Sequence, residues 1–408
     1  MSRKVVDDQT TGPLWQFSAA RREWLGQGIR LAGAAWAAGM LPPGMLGSFS
    51  VLAQGLPQGS DRLIVRSAKF LDLETPVNLL NSWITPTNLF FVRDHLALPN
   101  SPGPEWRLNI TGEVEKPLSL SLAELRHMES TTLTNTLECA GNGRAFYRPR
   151  AAGIQWERGA VGNARFTGPR LVDLLKHAGL KATAKHVAFD GFDDPPGKVP
   201  DFIRSIPIEK AVDDDTLVAL EMNGGPLRLE HGYPARAIVP GWIGSASVKW
   251  LSEIKVLDHE FEGNFMNPGY RLPNSPLKPG QPVDPKDTHP ATALRVKSTI
   301  TRPGDGTLSK GRSIEVTGIA WAGENQIEQV DVSDNGGKTW SPAKLGSERA
   351  TYSWRLWSFN WTPPSEGDFV ILSKATDNKG NAQPEIPDWN PSGYLWNGMG
   401  RARVRVEA

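Results

Sequence analysis

The stretch TLECAGNGRAFY, residues 136–147, is rich in turn-forming residues and contains the only cysteine among the 408 residues. Its two glycines allow a sharp turn or a close backbone approach, and Asn142 tolerates left-handed geometry. The pattern therefore predicts a loop that presents Cys139. Arg144 adds a fixed positive charge nearby, which lowers the pKa of a thiol and favours the thiolate that attacks electrophiles or binds metal. The other interpretation is a buried cysteine that acts as a small apolar residue.

The single cysteine excludes several kinds of site. No disulfide can form within the chain, and one sulfur cannot build a four-cysteine zinc site or a cysteine-ligated iron–sulfur cluster. The CxxCH motif is also absent, which excludes covalent c-type haem. No cytochrome b-type module is visible in the sequence either, so we expect no haem in this chain.

Length and composition predict two domains without a strong overall charge. A chain of 408 residues can bury two separate cores. The 45 basic and 44 acidic side chains give a net charge of +1, which does not indicate a nucleic acid partner or an acidic membrane. Fifteen tryptophans, 41 glycines and 33 prolines favour a loop-rich protein that contains β-structure over a helical bundle.

The N-terminal residues have the order of an export leader. Arg21 and Arg22 precede an uncharged stretch rich in alanine and glycine, residues 31–60. This order resembles a twin-arginine signal, which serves proteins exported already folded around a cofactor. We assign residues 1–53 to a signal peptide cleaved after about Ala53, and we expect a periplasmic protein without a membrane span in its mature form. A membrane anchor and a plain amphipathic helix are the alternatives.

Residues 63–263 mix short β-rich runs with helical segments, which is typical of an α+β domain. Ser121 and Glu124 have the spacing of a capping box at the start of a helix. The strand-like runs are TNLFFVR (87–93), WRLNITGEV (106–114) and ARAIVPG (235–241), and the helical segments are SLAELRHM (121–128) and GPRLVDLLKHAGL (168–180).

The character of the chain changes after residue 263. Residues 264–290 are rich in proline and predict a linker or an extended arm. Residues 291–408 contain short alternating runs separated by turn signals, including DNGG at 334–337. We therefore predict an all-β, immunoglobulin-like sandwich as the second domain. Such a sandwich is commonly a dimerisation module.

Basic and histidine side chains recur in segments that surround turns. They occur in FFVRDH (90–95), LECAGNGR (137–144), EHGYPARAIVPGWIGSASVKW (230–250) and YSWRLW (352–357). Taken singly, each has an ordinary structural explanation, such as a salt bridge or a buried histidine. Together with WNPSGYLWN (389–397), these segments resemble the sulfite oxidase family of molybdenum enzymes over about residues 65–406. The resemblance implies a sulfite-oxidase-type molybdopterin domain followed by an immunoglobulin-like dimerisation domain.

The resemblance also implies a molybdenum–molybdopterin cofactor. In this family the one protein ligand to the metal is a cysteine, here Cys139, and a soft thiolate suits such a site. Basic side chains suit the phosphate of the pterin. The residues that match this part of the site are His95, His231, Arg236, Ser245, Ser247 and Lys249.

The implied reaction is oxidation of sulfite to sulfate by oxo transfer. Arg93, Arg144 and Arg355 match the anion pocket of the family, with Trp156 as an apolar wall and Tyr270 as a hydrogen-bonding phenol. Several guanidinium groups in such a pocket orient a small oxyanion and stabilise its product. The implied electron acceptor is a separate c-type cytochrome, with oxygen as the alternative, and the implied assembly is a homodimer.

Two positions depart from the pattern of the vertebrate relatives. Gly269 stands where they have an acidic residue before the tyrosine, and Gly143 replaces a residue that is often basic.

An arginine at position 355 favours sulfite over nitrate as the substrate, because a dianion needs more positive charge than a monoanion.

Three other classes of function stay open. Within the family, the chain could be a nitrate reductase or a sulfane dehydrogenase subunit. A non-catalytic protein that binds pterin or an anion is a different class. A cysteine hydrolase is the third, and it would need a histidine base beside Cys139 and no metal.

Overall fold

The computed structural model describes residues 56–67, 70–309 and 313–408, and residues 55–408 form one compact unit. The predicted signal peptide, residues 1–53, lies outside the described residues. Within those ranges, no helix has the length and apolar character of a membrane span. The described chain consists mostly of short strands, with few helices.

In the described chain before residue 291, the helices are α1 (Leu122–His127), α2 (Leu171–Ala178) and α3 (Ile208–Ala211), with 3₁₀ turns at Val77–Leu79, Thr87–Leu89, Arg144–Phe146, Leu229–His231, Gly244–Ala246 and Pro285–Asp287. The strands of the same part are β1 (Ile64–Ser67), β2 (Asp72–Glu74), β3 (Arg107–Gly112), β4 (Leu118–Ser121), β5 (Ser130–Glu138), β6 (Val161–Pro169), β7 (His186–Gly191), β8 (Arg204–Pro207), β9 (Leu217–Ala219), β10 (Glu221–Met222), β11 (Gly225–Pro226), β12 (Arg236–Ile238), β13 (Leu251–Leu257), β14 (Arg271–Pro273) and β15 (Thr288–Pro290). The strands that follow are β16 (Lys297–Arg302), β17 (Gly306–Ser309), β18 (Ile314–Trp321), β19 (Ile327–Ser333), β20 (Ser341–Pro342), β21 (Lys344–Leu345), β22 (Arg355–Trp361), β23 (Gly367–Asp377) and β24 (Gly400–Glu407).

A mixed five-stranded sheet in the order β4-β3-β13-β7-β8 supports the N-terminal domain. β13 runs parallel to β3 and antiparallel to β7. α2 packs its buried leucines into the same core and ends at Gly179, which has a φ of 71°. The predicted capping box forms at α1, where the Ser121 hydroxyl accepts the Glu124 N–H at 3.2 Å.

A second sheet carries the glycine-rich loop. Its order is β11-β10-β6-β5, and β5 pairs with β6 in antiparallel register along its whole length, from Ser130 opposite Pro169 to Glu138 opposite Val161. The last four residues of β5 are buried. The loop therefore starts from a fixed, buried strand end.

The C-terminal strands form two facing sheets, in the orders β16-β18-β22-β21 and β17-β24-β23-β19-β20. Their common core contains buried valines and tryptophans such as Val316, Trp357 and Val404. All pairs are antiparallel except β17 with β24. The predicted β-rich second domain is confirmed, and its immunoglobulin-like classification stays a prediction. The DNGG turn joins β19 to antiparallel β20, with positive φ at Gly336 and Gly337.

One local prediction was wrong. The segment TNLFFVR forms a 3₁₀ turn at Thr87–Leu89 instead of a strand, and Val92 makes a single bridge to Leu73. Phe90 and Phe91 of this segment are buried in a hydrophobic core instead of on the face of a sheet. The run of apolar residues therefore reflects burial in that core and not a strand. In the segment predicted as a proline-rich linker, β14 pairs with β15.

The two domains share a hydrophobic core. One cluster joins Leu251 and Ile254 of the mixed sheet to Ile319 and Trp321 of β18 and to Trp354. These residues are all fully or almost fully buried. The boundary between the domains is therefore packed as tightly as the interior of a single domain.

Candidate active site

Cys139 follows the last residue of β5 and begins the glycine-rich loop. Its N–H donates to the Ala160 carbonyl at 2.9 Å, and its carbonyl accepts the Asn142 N–H at 2.8 Å. Gly143 then takes a φ of 91°, a left-handed conformation that favours glycine. After this turn, the charge of Arg144 is close enough to the Cys139 thiol to lower its pKa. The loop forms as predicted.

Two adjoining cavities meet at Cys139, and both also contact Arg93, His95 and Tyr270. The first, called the lysine cavity here, is further lined by His231, Arg236, Ser245, Ser247 and Lys249. The second, called the arginine cavity, encloses about 340 Å³ and is further lined by Arg144, Ile154, Ser392 and Tyr394. The fold therefore gathers around one sulfur all the predicted site residues except Trp156 and Arg355.

Arg236 is a buried cation without a carboxylate partner among its hydrogen bonds. Its two terminal nitrogens donate to the carbonyls of His231 at 3.0 Å and Ser247 at 2.9 Å. Its Nε has no partner in the described structure. Burial lowers the pKa of Arg236 to about 10, which measures the cost of holding this charge away from water. An anion in the lysine cavity would offset that cost.

Lys249 is held by an acidic residue that was not predicted as part of the site. Its Nζ donates to Asp94 and, at 3.0 Å, to the Glu230 carbonyl, and it lies 4.1 Å from the centre of the Trp250 ring. Burial lowers the pKa of Lys249 although Asp94 raises it. The second carboxylate oxygen of Asp94 is buried without a partner. This pair therefore keeps the ammonium group at the cavity wall.

The remaining polar groups of the lysine cavity differ in what they can offer a ligand. Burial lowers the pKa of His231 to about 3, so it is neutral, and its Nε2 donates to the Thr87 carbonyl at 3.0 Å. The Ser247 hydroxyl accepts the Val239 N–H at 3.0 Å. The Ser245 hydroxyl is buried with no partner among the residues that the structure describes, so it can bind a ligand.

The two arginines of the arginine cavity are fixed in different ways. Arg93 donates to the buried carboxylate of Asp72 at 3.1 Å. Burial lowers the pKa of Arg93, but the combined attraction of Asp72, Tyr270, Cys139 and Asp94 outweighs it, so the pKa lies above its ordinary value. Arg144 donates instead to the carbonyls of Ser392 at 2.8 Å and Ile154 at 2.9 Å. Its charge is therefore not neutralised by these contacts.

Tyr270 lines both cavities and belongs to an aromatic cluster with His95, Phe202 and Tyr394. Its phenol oxygen bonds to His95 Nε2, and its ring stacks on Tyr394 with the centroids 5.2 Å apart. The φ of Tyr270 is 54°, an uncommon value for a bulky residue, which these contacts hold in place. Burial also lowers the pKa of His95 well below its ordinary value, so the imidazole is neutral.

Burial raises the pKa of the Cys139 thiol, although Arg93 and Arg144 both lower it. The expectation of a lowered pKa was therefore wrong, because desolvation outweighs the two guanidinium charges. A cysteine nucleophile needs the opposite shift and a free histidine base. His95 is instead bonded to Tyr270. The cavity thus does not provide the arrangement that a cysteine hydrolase requires.

Comparisons with known proteins agree with this geometry. Residues 95–265 match the oxidoreductase molybdopterin-binding domain family, and residues 289–407 match the Mo-co oxidoreductase dimerisation domain family. The mitochondrial sulfite oxidase of Rattus norvegicus is 37% identical over 367 residues, which are 86% of this chain and 67% of that protein. The chain belongs to the sulfite oxidase family. It is a molybdopterin-dependent oxidoreductase of that family.

Two further proteins, one of them a solved structure, are similar over most of this chain. The sulfite oxidase of Gallus gallus is 36% identical over 357 residues, covering 84% of this chain and 77% of that protein. The crystal structure of the sulfane dehydrogenase SoxCD from Paracoccus pantotrophus matches with a TM-score of 0.72 and 28% identity, covering 88% of this chain and 94% of that one. The chain spans about two thirds of the length of the mitochondrial relatives.

The lysine cavity has the chemistry that the cofactor of the sulfite oxidase family requires. The unpartnered Arg236 Nε and Ser245 hydroxyl are donors for a phosphate, and Lys249 adds a second cation. The Cys139 thiol is the soft ligand for molybdenum, and metal binding holds such a sulfur deprotonated. The residues present therefore fit a molybdenum–molybdopterin group.

Arg355 lies outside both cavities, so its assignment to the anion pocket was wrong. It begins β22 opposite Ala320 of β18, is only partly buried, and donates to the Gly346 carbonyl. The neighbouring Trp354 is fully buried, but adjacent residues of a strand point to opposite faces. Arg355 therefore gives no support for sulfite over nitrate as the substrate.

Trp156 also lies outside both cavities, which corrects its assignment as a pocket wall. Its ring is fully buried in a core cluster with Phe90, Leu137 and Phe166. Trp156 also stabilises the loop that begins at Cys139, because its carbonyl accepts the N–H of Ala145 at 3.1 Å.

Sequence reasoning missed several residues of the site. Asp94 stands inside the quoted segment FFVRDH, and its charge beside Arg93 was a usable signal. Tyr394 and Ser392 stand inside WNPSGYLWN but carried no role there. Asp72 and Arg204 have no local signal. Arg204 lies 4.8 Å from the Tyr270 ring centre, and burial lowers its pKa to about 10.

Proposed function

We propose that the protein oxidises sulfite to sulfate and passes the electrons to an external acceptor. The observation that carries the proposal is the position of Cys139, which lines both a cavity suited to the pterin phosphate and a cavity with two arginines. Similarity to the sulfite oxidases of rat and chicken supports the choice of substrate. The balanced reaction converts sulfite and water to sulfate, two protons and two electrons.

Each residue of the arginine cavity has a role in this proposal. A molybdenum–molybdopterin group held at Cys139 would supply the oxygen-atom transfer and the two-electron chemistry. Arg144 and Arg93 bind the oxyanion and stabilise the sulfate charge as it forms. Tyr270 donates a hydrogen bond from its phenol, and His95 orients that phenol as a neutral imidazole. Arg204, close to the Tyr270 ring, keeps the phenol oxygen in a positive field.

A steady-state assay of the purified protein tests the proposal. We expect molybdenum at about one atom per chain and sulfite-dependent reduction of cytochrome c. Nitrate reduction with a chemical electron donor serves as the comparison. Protein with full molybdenum content that does not turn over sulfite would contradict the proposed substrate. Protein that binds no molybdenum after expression with adequate molybdate would contradict the cofactor.

A sulfane dehydrogenase is the second candidate, and the size of the arginine cavity favours it. A volume of about 340 Å³ is far larger than a small oxyanion needs, since one liquid water occupies roughly 30 Å³. Small side chains, including Ala152, Gly153 and Ser392, line it. Comparing kcat/KM for sulfite with that for a sulfane sulfur carried on a cysteine peptide separates the two candidates.

We further propose the cellular context from the sequence. The arginine pair at 21 and 22 supports export by the twin-arginine pathway to the periplasm, with cleavage near Ala53. A c-type cytochrome is the proposed acceptor, with oxygen as the alternative. Equal turnover with oxygen alone and with cytochrome c would exclude a dehydrogenase.

The domain assignment and the assembly are also proposals. We propose a catalytic domain at 63–263, a linker at 264–290 and an immunoglobulin-like domain at 291–408. The match to a dimerisation domain family supports a homodimer formed through the last of these. Light scattering that gives a monomer mass at every concentration would exclude the homodimer.

A further inference from the structure

Glu138, the residue before Cys139, is a buried acid with three side-chain partners. Only 3% of its surface is exposed. One carboxylate oxygen accepts from Lys297 at 2.8 Å and from Asn142 at 2.9 Å, and the other accepts from the Trp321 indole N–H at 2.8 Å. Both oxygens of the carboxylate are thus hydrogen-bonded, and none of these bonds is to a residue of the cavity walls.

Two of these partners come from the C-terminal domain. Lys297 begins β16 and Trp321 ends β18, and the two residues stand directly opposite each other in the ladder. Opposite residues of an antiparallel pair place their side chains on the same face of the sheet. The Lys297 ammonium lies 5.4 Å from the Trp321 ring centre. The end of this sheet therefore presents two donors to one carboxylate.

The loop is also held on the other side of Cys139. The N–H of Leu395, in the C-terminal domain, donates to the Ala140 carbonyl at 2.7 Å. Asn142 closes the loop, since its amide oxygen accepts the Ala160 N–H at 3.2 Å while its amide nitrogen donates to Glu138. Both chain neighbours of Cys139 are thus bonded to the C-terminal domain.

We propose that Glu138, Lys297 and Trp321 are positioning residues through which the C-terminal domain sets the position of the Cys139 sulfur. A buried ion pair is a poor source of stability, because desolvation offsets its attraction, so fixing the geometry of the loop is the role that we assign to this pair. Outer residues that orient a metal ligand change metal affinity or activity about tenfold to a hundredfold when they are mutated. The proposal rests on the cofactor of the family and not on which sulfur compound is the substrate.

Two variants test the proposal in the purified holoenzyme. Trp321→Phe removes one hydrogen bond and keeps most of the ring volume, and Lys297→Met removes the ammonium group. Lys210→Met is the matched control, because Lys210 also pairs across to the C-terminal domain, with Glu324 at 2.8 Å, and lines neither cavity. The readouts are the molybdenum content, the Mo(V) electron paramagnetic resonance spectrum after chemical reduction, and kcat and KM measured separately.

We expect both test variants to shift the g values of the Mo(V) signal and to lower kcat about tenfold or more, with KM within about twofold. The control should change neither the spectrum nor kcat. Wild-type spectra and kcat in both variants, with only a lower melting temperature, would overturn the proposal, since the network would then be structural alone. If Lys297→Met does not fold, Trp321→Phe decides by the same criteria. Because the spectrum requires no sulfite, a wrong substrate assignment would not affect this result.

Discussion

Arg93 and Arg144 both line the arginine cavity, but within the described ranges of the chain only Arg93 has a carboxylate partner, Asp72. The guanidinium group of Arg144 is bonded to two carbonyls, which leaves its full charge for an anion. Because the two arginines differ in this way, removing the Arg144 charge should weaken binding of a dianion, whereas removing the Asp72 charge should strengthen it.

Arg144→Gln should raise KM for sulfite and lower kcat/KM about tenfold or more. The lost charge-assisted hydrogen bond corresponds to roughly 1.5 to 3 kcal/mol. Arg355→Met is the control, since Arg355 contacts neither cavity, and its kcat/KM should stay within about twofold of wild type. The check is steady-state kinetics of both variants together with their melting temperatures. A larger effect at Arg355 than at Arg144 would contradict the geometry of the site.

Asp72→Asn should lower KM for the anion, and the effect should depend on pH. Burial raises the pKa of Asp72 to about 7, against the attraction of Arg93. The wild-type carboxyl is therefore neutral at low pH and neutralises Arg93 only as pH rises through about 7. We expect the ratio of wild-type to variant KM to rise from about one at pH 5.5 to about fivefold at pH 8.5, which is roughly 1 kcal/mol.

Taking the ratio of the two proteins cancels the titration of sulfite itself, so kinetic measurements across this pH range check the prediction. A ratio that does not change with pH would show that Asp72 stays in one protonation state. The same shift bears on stability. Because the folded pKa of about 7 lies above the ordinary value of 3.8, the native state binds more protons in this window. The contribution of Asp72 to stability therefore falls as pH rises from 3.8 to about 7 and is constant above it.

Cys139→Ser should abolish turnover while most of the pterin stays bound. Many contacts in the lysine cavity, including those of Arg236, Ser245 and Lys249, are independent of the sulfur. Metal and pterin are assayed separately in the purified variant. Sulfite oxidation near the wild-type rate would refute the assignment of Cys139 as the metal ligand.

The loop after β5 depends on one glycine for its path. Gly143 has a φ of 91°, and a Cβ atom there would lie 2.6 Å from a carbon of the Trp396 side chain. The indole ring of Trp396 therefore occupies the space that a side chain at position 143 would need. Trp396 in turn contacts Tyr147 with ring centres 4.8 Å apart. Through the contacts of Trp396, the segment 389–397 therefore packs against the loop that begins at Cys139.

Gly143→Ala should destabilise the protein more than Gly280→Ala. Both glycines have positive φ, but at Gly280, with a φ of 83°, an added Cβ would have no other atom within 4 Å. The control therefore carries only the conformational cost of about 1–2 kcal/mol. At Gly143 the clash with Trp396 adds about 1–3 kcal/mol. Chemical denaturation of both variants gives the difference, and equal losses would show that Trp396 moves away without cost.

Local patterns in the sequence predicted the helices α1 and α2, the β-rich character of the C-terminal domain and the loop of Cys139. These features depend on residues close together in the chain, such as Ser121 with Glu124. The direction of Arg355 depends on the register of β22 with β18, which no local pattern contains. Asp72 reaches Arg93 across 21 residues for the same kind of reason. Contacts between residues that are far apart in the chain therefore limited the prediction of the site more than the prediction of the fold.

The shared core predicts how the whole protein unfolds. Ile319, Trp321 and Trp354 of the C-terminal domain pack with Leu251 and Ile254 of the N-terminal domain. Neither domain can unfold without exposing this surface to water, so we expect one cooperative transition for the chain. Differential scanning calorimetry and denaturation followed by two probes are the measurements. Two separated transitions would show that the domains are independent folding units.

Cys139 is the sole sulfhydryl among 408 residues, and it lies at the junction of both cavities. A maleimide or disulfide reagent that modifies the native protein can therefore react at one position only. A molecule loaded with metal should resist the reagent, and an empty molecule should consume one equivalent of it. Titrating a preparation before and after denaturation thus gives its loaded fraction directly, so activities of different batches and variants can be expressed per functional site.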